Sequence, residues 1–240
     1  MKAFDDLIAL TDKVLSSYEG KSFSYNEHFF PLLSDPNELI LQKEQAYELG
    51  AGSYDSFSFM AVTQSEELVK KDEVVLYGPD ISEIKNDTSY GRIVFLLVDD
   101  VESSGPDAFY EILKDIEISK YNLGVKGFML RASALTNREQ IRVSKEAVKN
   151  KLSFEQVGNL MINELHKNPH VIKAKIIFIS LPEGPYNELD NIAEKSEKRS
   201  EAYNHMLKDS VMNCRHCEWK PVCAEIGEMK EFHKKMVGKK

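Results

Sequence analysis

Cysteine is scarce in this sequence. There are three among 240 residues, Cys214, Cys217 and Cys223, and an odd count this small excludes an internal disulfide framework. The fold must therefore rest on a buried apolar core. Tryptophan occurs once, as Trp219 inside the same stretch. Positive charge is in deficit, with 31 Lys and Arg against 39 Asp and Glu and a net charge of −8. That balance gives no electrostatic hold on a phosphate backbone and excludes non-specific nucleic-acid binding. No apolar stretch approaches the roughly 20 residues that span a bilayer. The opening Met1-Lys2-Ala3-Phe4-Asp5-Asp6 turns acidic before any apolar run begins, unlike a secretory signal. Internal repeats and low-complexity tracts are absent too. Together these absences predict a soluble, cytoplasmic protein that spans no membrane and binds no nucleic acid.

What is present reads as α+β, close to α/β: a mixed β-sheet with helices packed on its faces, then a long helix and a C-terminal cysteine-bearing segment. Phe4, Leu7, Ile8, Val14 and Leu15 recur at helical spacing, with Gly20 as the expected stop. Lys21 to Pro36 reads as irregular, since Pro31 and Pro36 interrupt it. Gln45–Gly50 and Ser56–Thr63 read as strands joined by a hairpin turn at Gly50-Ala51-Gly52-Ser53, which lacks the spacing of a phosphate cradle. Arg92–Val98 is apolar on both faces, the signature of a strand in the middle of a covered sheet, and Val171–Ile179 is a second strongly apolar strand. Helices are predicted from Pro106 and from Phe154, the second capped by Ser153 with Gln156 as reciprocal partner. His166 ends that helix, where the dipole favours its protonated form. A boundary falls near residue 185, with an α/β body at 1–185 and a long helix plus cysteine segment at 186–240.

Two groups of side chains carry candidate chemistry. Arg131, Arg138, Arg142 and Lys145 concentrate fixed positive charge, and guanidinium groups at strand ends can clamp a phosphate or carboxylate; ordinary balanced surface charge is the alternative. The cysteines follow a C-x2-C-x5-C spacing with Pro221 stiffening the turn toward Cys223. Three close thiolates in a reducing compartment point to a soft metal centre. An iron–sulfur cluster, a Cys3His zinc site using His216, and unligated thiols all fit this spacing. For a fourth ligand the sequence offers His216, His205, His233, Glu218 or Glu225, and a partner's thiol is a further source.

Three passages resemble the middle part of acetyl-CoA synthase, the nickel-containing beta subunit of the CO dehydrogenase/acetyl-CoA synthase complex. They are Tyr77-Gly78-Pro79-Asp80-Ile81 with Ile84, then Ile141-Arg142-Val143-Ser144-Lys145-Glu146-Ala147-Val148 running into Phe154, and the three cysteines after a long helix. The resemblance runs from about Phe4 to Cys223. In that family a corrinoid-bound methyl group, CO and coenzyme A are joined into acetyl-CoA at a 4Fe-4S cluster bridged by a cysteine to two nickel ions. By position, Cys214, Cys217 and Cys223 resemble the first three cluster ligands and Cys217 the bridging one. The arginines around Arg142 fall in a region proposed to meet coenzyme A.

The sequence departs from the family in carrying no Cys-Gly-Cys nickel motif, no fourth cluster cysteine, no large N-terminal domain and no tryptophan in the coenzyme A region. The resemblance thus implies a stand-alone truncated homologue in anaerobic one-carbon metabolism. It would hold a 4Fe-4S cluster, or zinc as the alternative, with no nickel site built from this chain alone. The implied partners are a corrinoid protein or subunits of the CO dehydrogenase complex, with coenzyme A as ligand. Three roles stay open: a docking protein, an enzyme fragment active only with a partner chain, and a zinc-stabilised interaction domain.

Overall fold

The computed structural model describes residues 2–36, 38–40, 42–99, 106–132, 137–208 and 217–226. In chain order the elements are α1 (Asp5–Leu15), β1 (Gly20–Ser24), β2 (Ala46–Leu49), β3 (Ser56–Thr63), β4 (Glu73–Tyr77), β5 (Tyr90–Val98), α2 (Pro106–Ser119), β6 (Phe128–Ala132), β7 (Glu139–Ser144), α3 (Lys145–Lys149), α4 (Phe154–Leu165), β8 (Val171–Ile179), α5 (Tyr186–Lys208) and α6 (Lys220–Glu225). The large sheet has the order β1-β4-β8-β5-β3, and a second, antiparallel sheet has the order β2-β7-β6. Within the large sheet β4 pairs parallel to β8, β8 antiparallel to β5, and β5 parallel to β3. The class is α+β with a mixed sheet, as the pattern of the sequence implies.

The run without a polar face sits where such a run must. All nine residues of β5 are buried, and β8 lies beside it in the middle of the sheet. Helices cover the sheet: α4 packs on β4 and β8, while α5 packs on β3 and, together with α1, closes the core. Gly158 lets α4 sit close, because a Cβ there would stand 2.5 Å from Val74 Cγ2. Leu189, Ile192, Ala193 and Ala202 of α5 belong to the same core as β5 and β8. Arg199 of α5 ties this helix to the N-terminus through Asp6 (2.5 and 2.8 Å) and the Ala3 carbonyl (2.7 Å). No helix among the described residues is long and apolar enough to cross a membrane.

The first two family-like passages, 74 positions apart, meet in space at one carboxylate. Asp80 ends the turn after β4 and accepts from the N–H of Ile81 and from the N–H of Phe154, the first residue of α4, both at 2.7 Å. Gly78 makes that turn possible: its φ is +105°, and a Cβ would lie 2.8 Å from the Leu181 backbone nitrogen. Ser180 answers from β8's end, its N–H donating to the Tyr77 carbonyl (2.9 Å) and its hydroxyl to the Pro79 carbonyl (2.5 Å). The Ser153–Gln156 capping box forms as the sequence predicts.

Two local expectations are corrected. α1 ends at Leu15 with Ser16 as its C-cap, and Gly20 instead starts the edge strand β1, which pairs with β4 from Gly20↔Tyr77 to Ser24↔Glu73. The stretch expected to be irregular from Lys21 therefore opens as a strand. A short polar strand of this kind has no alternating pattern to announce it, because its pairing partner supplies the order. The turn at Gly50–Ser53 joins no hairpin either. β2 pairs with β7 in the small sheet and β3 with β5 in the large one, so the turn carries the chain from one sheet to the other.

Candidate functional site

A cleft of about 380 Å³ opens along β3, between α2 and α5. β3 contributes Ser58, Met60 and Val62, α2 contributes Leu113 and Ile118, and α5 contributes Ser196. The elements are pinned around it: the Ser196 hydroxyl donates to the Met60 carbonyl (2.8 Å), and the Ser58 N–H donates to the Asn137 carbonyl (2.7 Å).

Its deepest charge is Arg92, a residue of β5 that is 5% exposed and reaches the cleft wall. Arg92 donates from Nε to Glu139 Oε1 (2.6 Å) and from Nη2 to Oε2 (2.7 Å), a bidentate pair linking the large sheet to the small one. Burial alone would raise the Glu139 carboxyl, but the Arg92 charge and its two hydrogen bonds, with Lys120 nearby, hold it below the usual carboxylate range. Burial works against the Arg92 cation, and Glu139 outweighs that effect and raises Arg92 further. Both groups stay charged through the neutral range. Lys120 lies 3.9 Å from Glu139 and pairs with Glu117, with only 11% of its side chain exposed. Such an arrangement presents fixed charge to a ligand rather than shuttling protons.

The four cations singled out in the sequence do not converge. Arg142 spends Nε (3.0 Å) and Nη2 on Glu48, its cross-strand neighbour in β2, and Nη1 on the Ile40 carbonyl (2.6 Å). Arg138 donates from Nη2 to the carbonyls of Gly50, Gly52 and Tyr54 (3.3, 3.3 and 2.9 Å) and so clamps the glycine turn. Lys145 donates to the Glu44 carbonyl (2.8 Å) and lies 5.4 Å from the centre of the Tyr47 ring. Arg131 on β6 is exposed, and among the described residues its side chain makes no hydrogen bond or ion pair. At the end of β5, Asp99 meets His170 at 2.7 Å, a pairing invisible to local sequence.

Of the predicted metal ligands, Cys217 and Cys223 are described, and Cys214 and His216 lie outside the described residues. α6 rests on α5, with Ile226 buried and Trp219, Val222 and Cys223 packed against the core. Pro221 stands in the first turn of α6, where a missing N–H costs nothing. The Lys220 N–H donates to the Cys217 carbonyl (3.2 Å) and the Cys223 N–H to the Trp219 carbonyl (3.0 Å). Among the described residues no three His, Cys, Asp or Glu side chains form a group able to hold a metal. Two half-buried thiols on one short turn-and-helix unit nonetheless suit a soft centre better than a hard oxygen-seeking cation.

Sequence reading passed over Arg92, Lys120 and Glu139. The available signal was a lone arginine heading an otherwise apolar buried run, a position that demands an acidic partner.

Residues 37–182 match the family model of the CO dehydrogenase/acetyl-CoA synthase complex beta subunit, a span of more than half the chain that takes in β2 through β8. No curated protein matches the chain.

Proposed function

The chain belongs to the CO dehydrogenase/acetyl-CoA synthase complex beta-subunit family, and from that membership we propose that it is an iron–sulfur docking protein of anaerobic CO and acetyl-CoA metabolism. The observation that carries the reading is the family match across both sheets, supported by the meeting of the Tyr77–Ile81 and Phe154 passages at Asp80. In this proposal Cys214, Cys217 and Cys223 hold a 4Fe-4S cluster, with His216, a carboxylate or a partner's thiol as fourth ligand. The bound cluster would supply one-electron chemistry. The packing of α6 on α5 would fix Cys217 and Cys223 against the body, where a partner, a corrinoid protein or another subunit of the complex, can approach them. The 240 residues carry no Cys-Gly-Cys, so the family's nickel pair is not built from them alone. For coenzyme A the proposal rests on Arg131, while Arg138, Arg142 and Lys145 hold neighbouring loops in place.

The test is anaerobic purification followed by iron, sulfide, nickel and zinc analysis. Iron and sulfide at about four per chain without nickel support the proposal. Nickel would favour an enzyme fragment completed by a partner, zinc alone a structural site, and a metal-free colourless protein overturns the reading. Cys217→Ser is expected to bleach the brown chromophore while circular dichroism stays unchanged.

A further inference from the structure

The small sheet ends in an edge left unpaired among the described residues. Its order, β2-β7-β6, gives β6 a strand neighbour on one side only. The Ser144 N–H donates to the Gly127 carbonyl (2.8 Å), so by alternation the main-chain groups of Met129 and Arg131 turn toward β7. Those of Phe128, Leu130 and Ala132 turn away from it. The Phe128 N–H is taken by the Val125 carbonyl (3.1 Å). The Phe128 carbonyl, the N–H and carbonyl of Leu130 and the Ala132 N–H have no partner among the described residues. Such a row is a template for a further strand.

The surroundings of this edge are apolar and cationic. Leu32 and Leu33, 69% and 64% exposed, are held beside its start. The Lys126 N–H donates to the Leu32 carbonyl (2.8 Å), and Leu33 bridges to Val125, which itself bridges to Phe128. At the other end Ala132 lines the cleft together with the exposed Ile118 and Tyr121. Lys126 and Arg131 are exposed on either side of the unpaired groups, and neither side chain makes a hydrogen bond or ion pair among the described residues. Glu117 is engaged by Lys120. The acids of the neighbouring loop, Asp35 and Glu38, follow Ser34, and by Ile40 that loop has crossed to Arg142 of β7.

We infer that the edge of β6 receives an extended acidic segment of a partner protein as an added antiparallel strand. Its carboxylates meet Arg131 and Lys126. Its alternate apolar side chains lie on the face of Phe128 and Leu130, between Leu33 and the cleft rim at Ile118 and Tyr121. Cations beside an open edge repel a basic segment and attract an acidic one. Residues opposite each other in an antiparallel pair share a face, so the apolar residue facing Leu130 is also the one that exchanges both hydrogen bonds with it. Arg131 is the cation proposed for coenzyme A as well, so the two ligands exclude one another there.

The probe is a fluorescein-tagged hexapeptide alternating glutamate and isoleucine, followed by fluorescence anisotropy on the intact, anaerobically purified protein. Saturable binding is expected, with a Kd of about 100 µM or tighter. Lysine in place of glutamate, or N-methylation of the isoleucine amides, is expected to weaken it about tenfold or more, while N-methylation of the glutamate amides should leave it within about twofold. The double variant Lys126→Glu/Arg131→Glu, two exposed changes that spare the core, should also lose about tenfold. The peptide series decides the matter even if that variant fails to fold. No saturable binding, equal affinity for the lysine peptide, insensitivity to isoleucine N-methylation or unchanged affinity in the folded double variant each overturns the inference. So does a wild-type dimer that Leu130→Pro makes monomeric, since a second copy then occupies the edge. Peptide binding is read without reference to metal content, so its failure and the failure of the cluster proposal can be told apart.

Discussion

Replacing Glu139 by alanine would leave Arg92 charged, 5% exposed and stripped of both its hydrogen bonds. Removing one partner of a buried pair costs about 3–5 kcal/mol, because the surviving charge keeps its desolvation penalty and loses its compensation. Domains of this kind are stable by about 5–15 kcal/mol, so the variant should retain a native state with much of its margin gone. In urea followed by far-ultraviolet circular dichroism, the midpoint should fall by about 1–2 M. The double variant Arg92→Met/Glu139→Leu removes both charges and keeps the volume. It should be much less destabilised than the sum of its single changes, and the cycle should return a coupling of at least about 2 kcal/mol. The pair also fixes a pH dependence. Glu139 has a folded value below its unfolded one, so its contribution is complete above the ordinary carboxylate range and disappears as pH falls through the depressed folded value. A cost under about 1 kcal/mol for Glu139→Ala, or additive single changes, would refute the view that this pair joins the two sheets.

Gly78→Ala should destabilise by at least about 2 kcal/mol in the same urea assay, since φ +105° and a backbone nitrogen 2.8 Å from the new Cβ leave it no relaxed position. Asp80→Ala should cost about 2 kcal/mol, because the N–H groups of Ile81 and Phe154 both lose their acceptor. His166 bonds Asp72 at 3.0 Å, and this bond, with the Asp72 charge, raises its pKa against the effect of burial. Its stabilisation is therefore complete below the unfolded histidine value and lost as pH rises through the folded one. Asp72→Asn should flatten that part of a stability-versus-pH profile measured by urea midpoints.

The parts of the fold that were legible in the sequence are those where one residue type answers to one local demand. Arg92–Val98 shows no polar face and becomes β5; the strongly apolar Val171–Ile179 becomes β8; Ser153 and Gln156 stand three apart and cap each other. What was illegible depended on partners far along the chain. Arg142 looks available until Glu48 and the Ile40 carbonyl, 94 and 102 positions away, are folded against it. Gly50–Ser53 looks like a hairpin because nothing local reveals that β2 belongs with β7. Arg92 and Glu139, 47 positions apart, carry no mutual signal at all, although a charge in a fully buried strand could have prompted a search for its counterpart.

The placement of β8 bears on how the chain is made. It separates β4 from β5, so the β1–β4 and β3–β5 ladders have no bond between them until residues 171–179 have been synthesised and inserted. A chain growing from a ribosome would therefore carry two half-sheets, each with an uncapped inner rim, for close to the last stage of the matched region. That interval, rather than the finished molecule, is when a nascent-chain chaperone would matter most, and slow translation just ahead of Val171 would prolong the exposure.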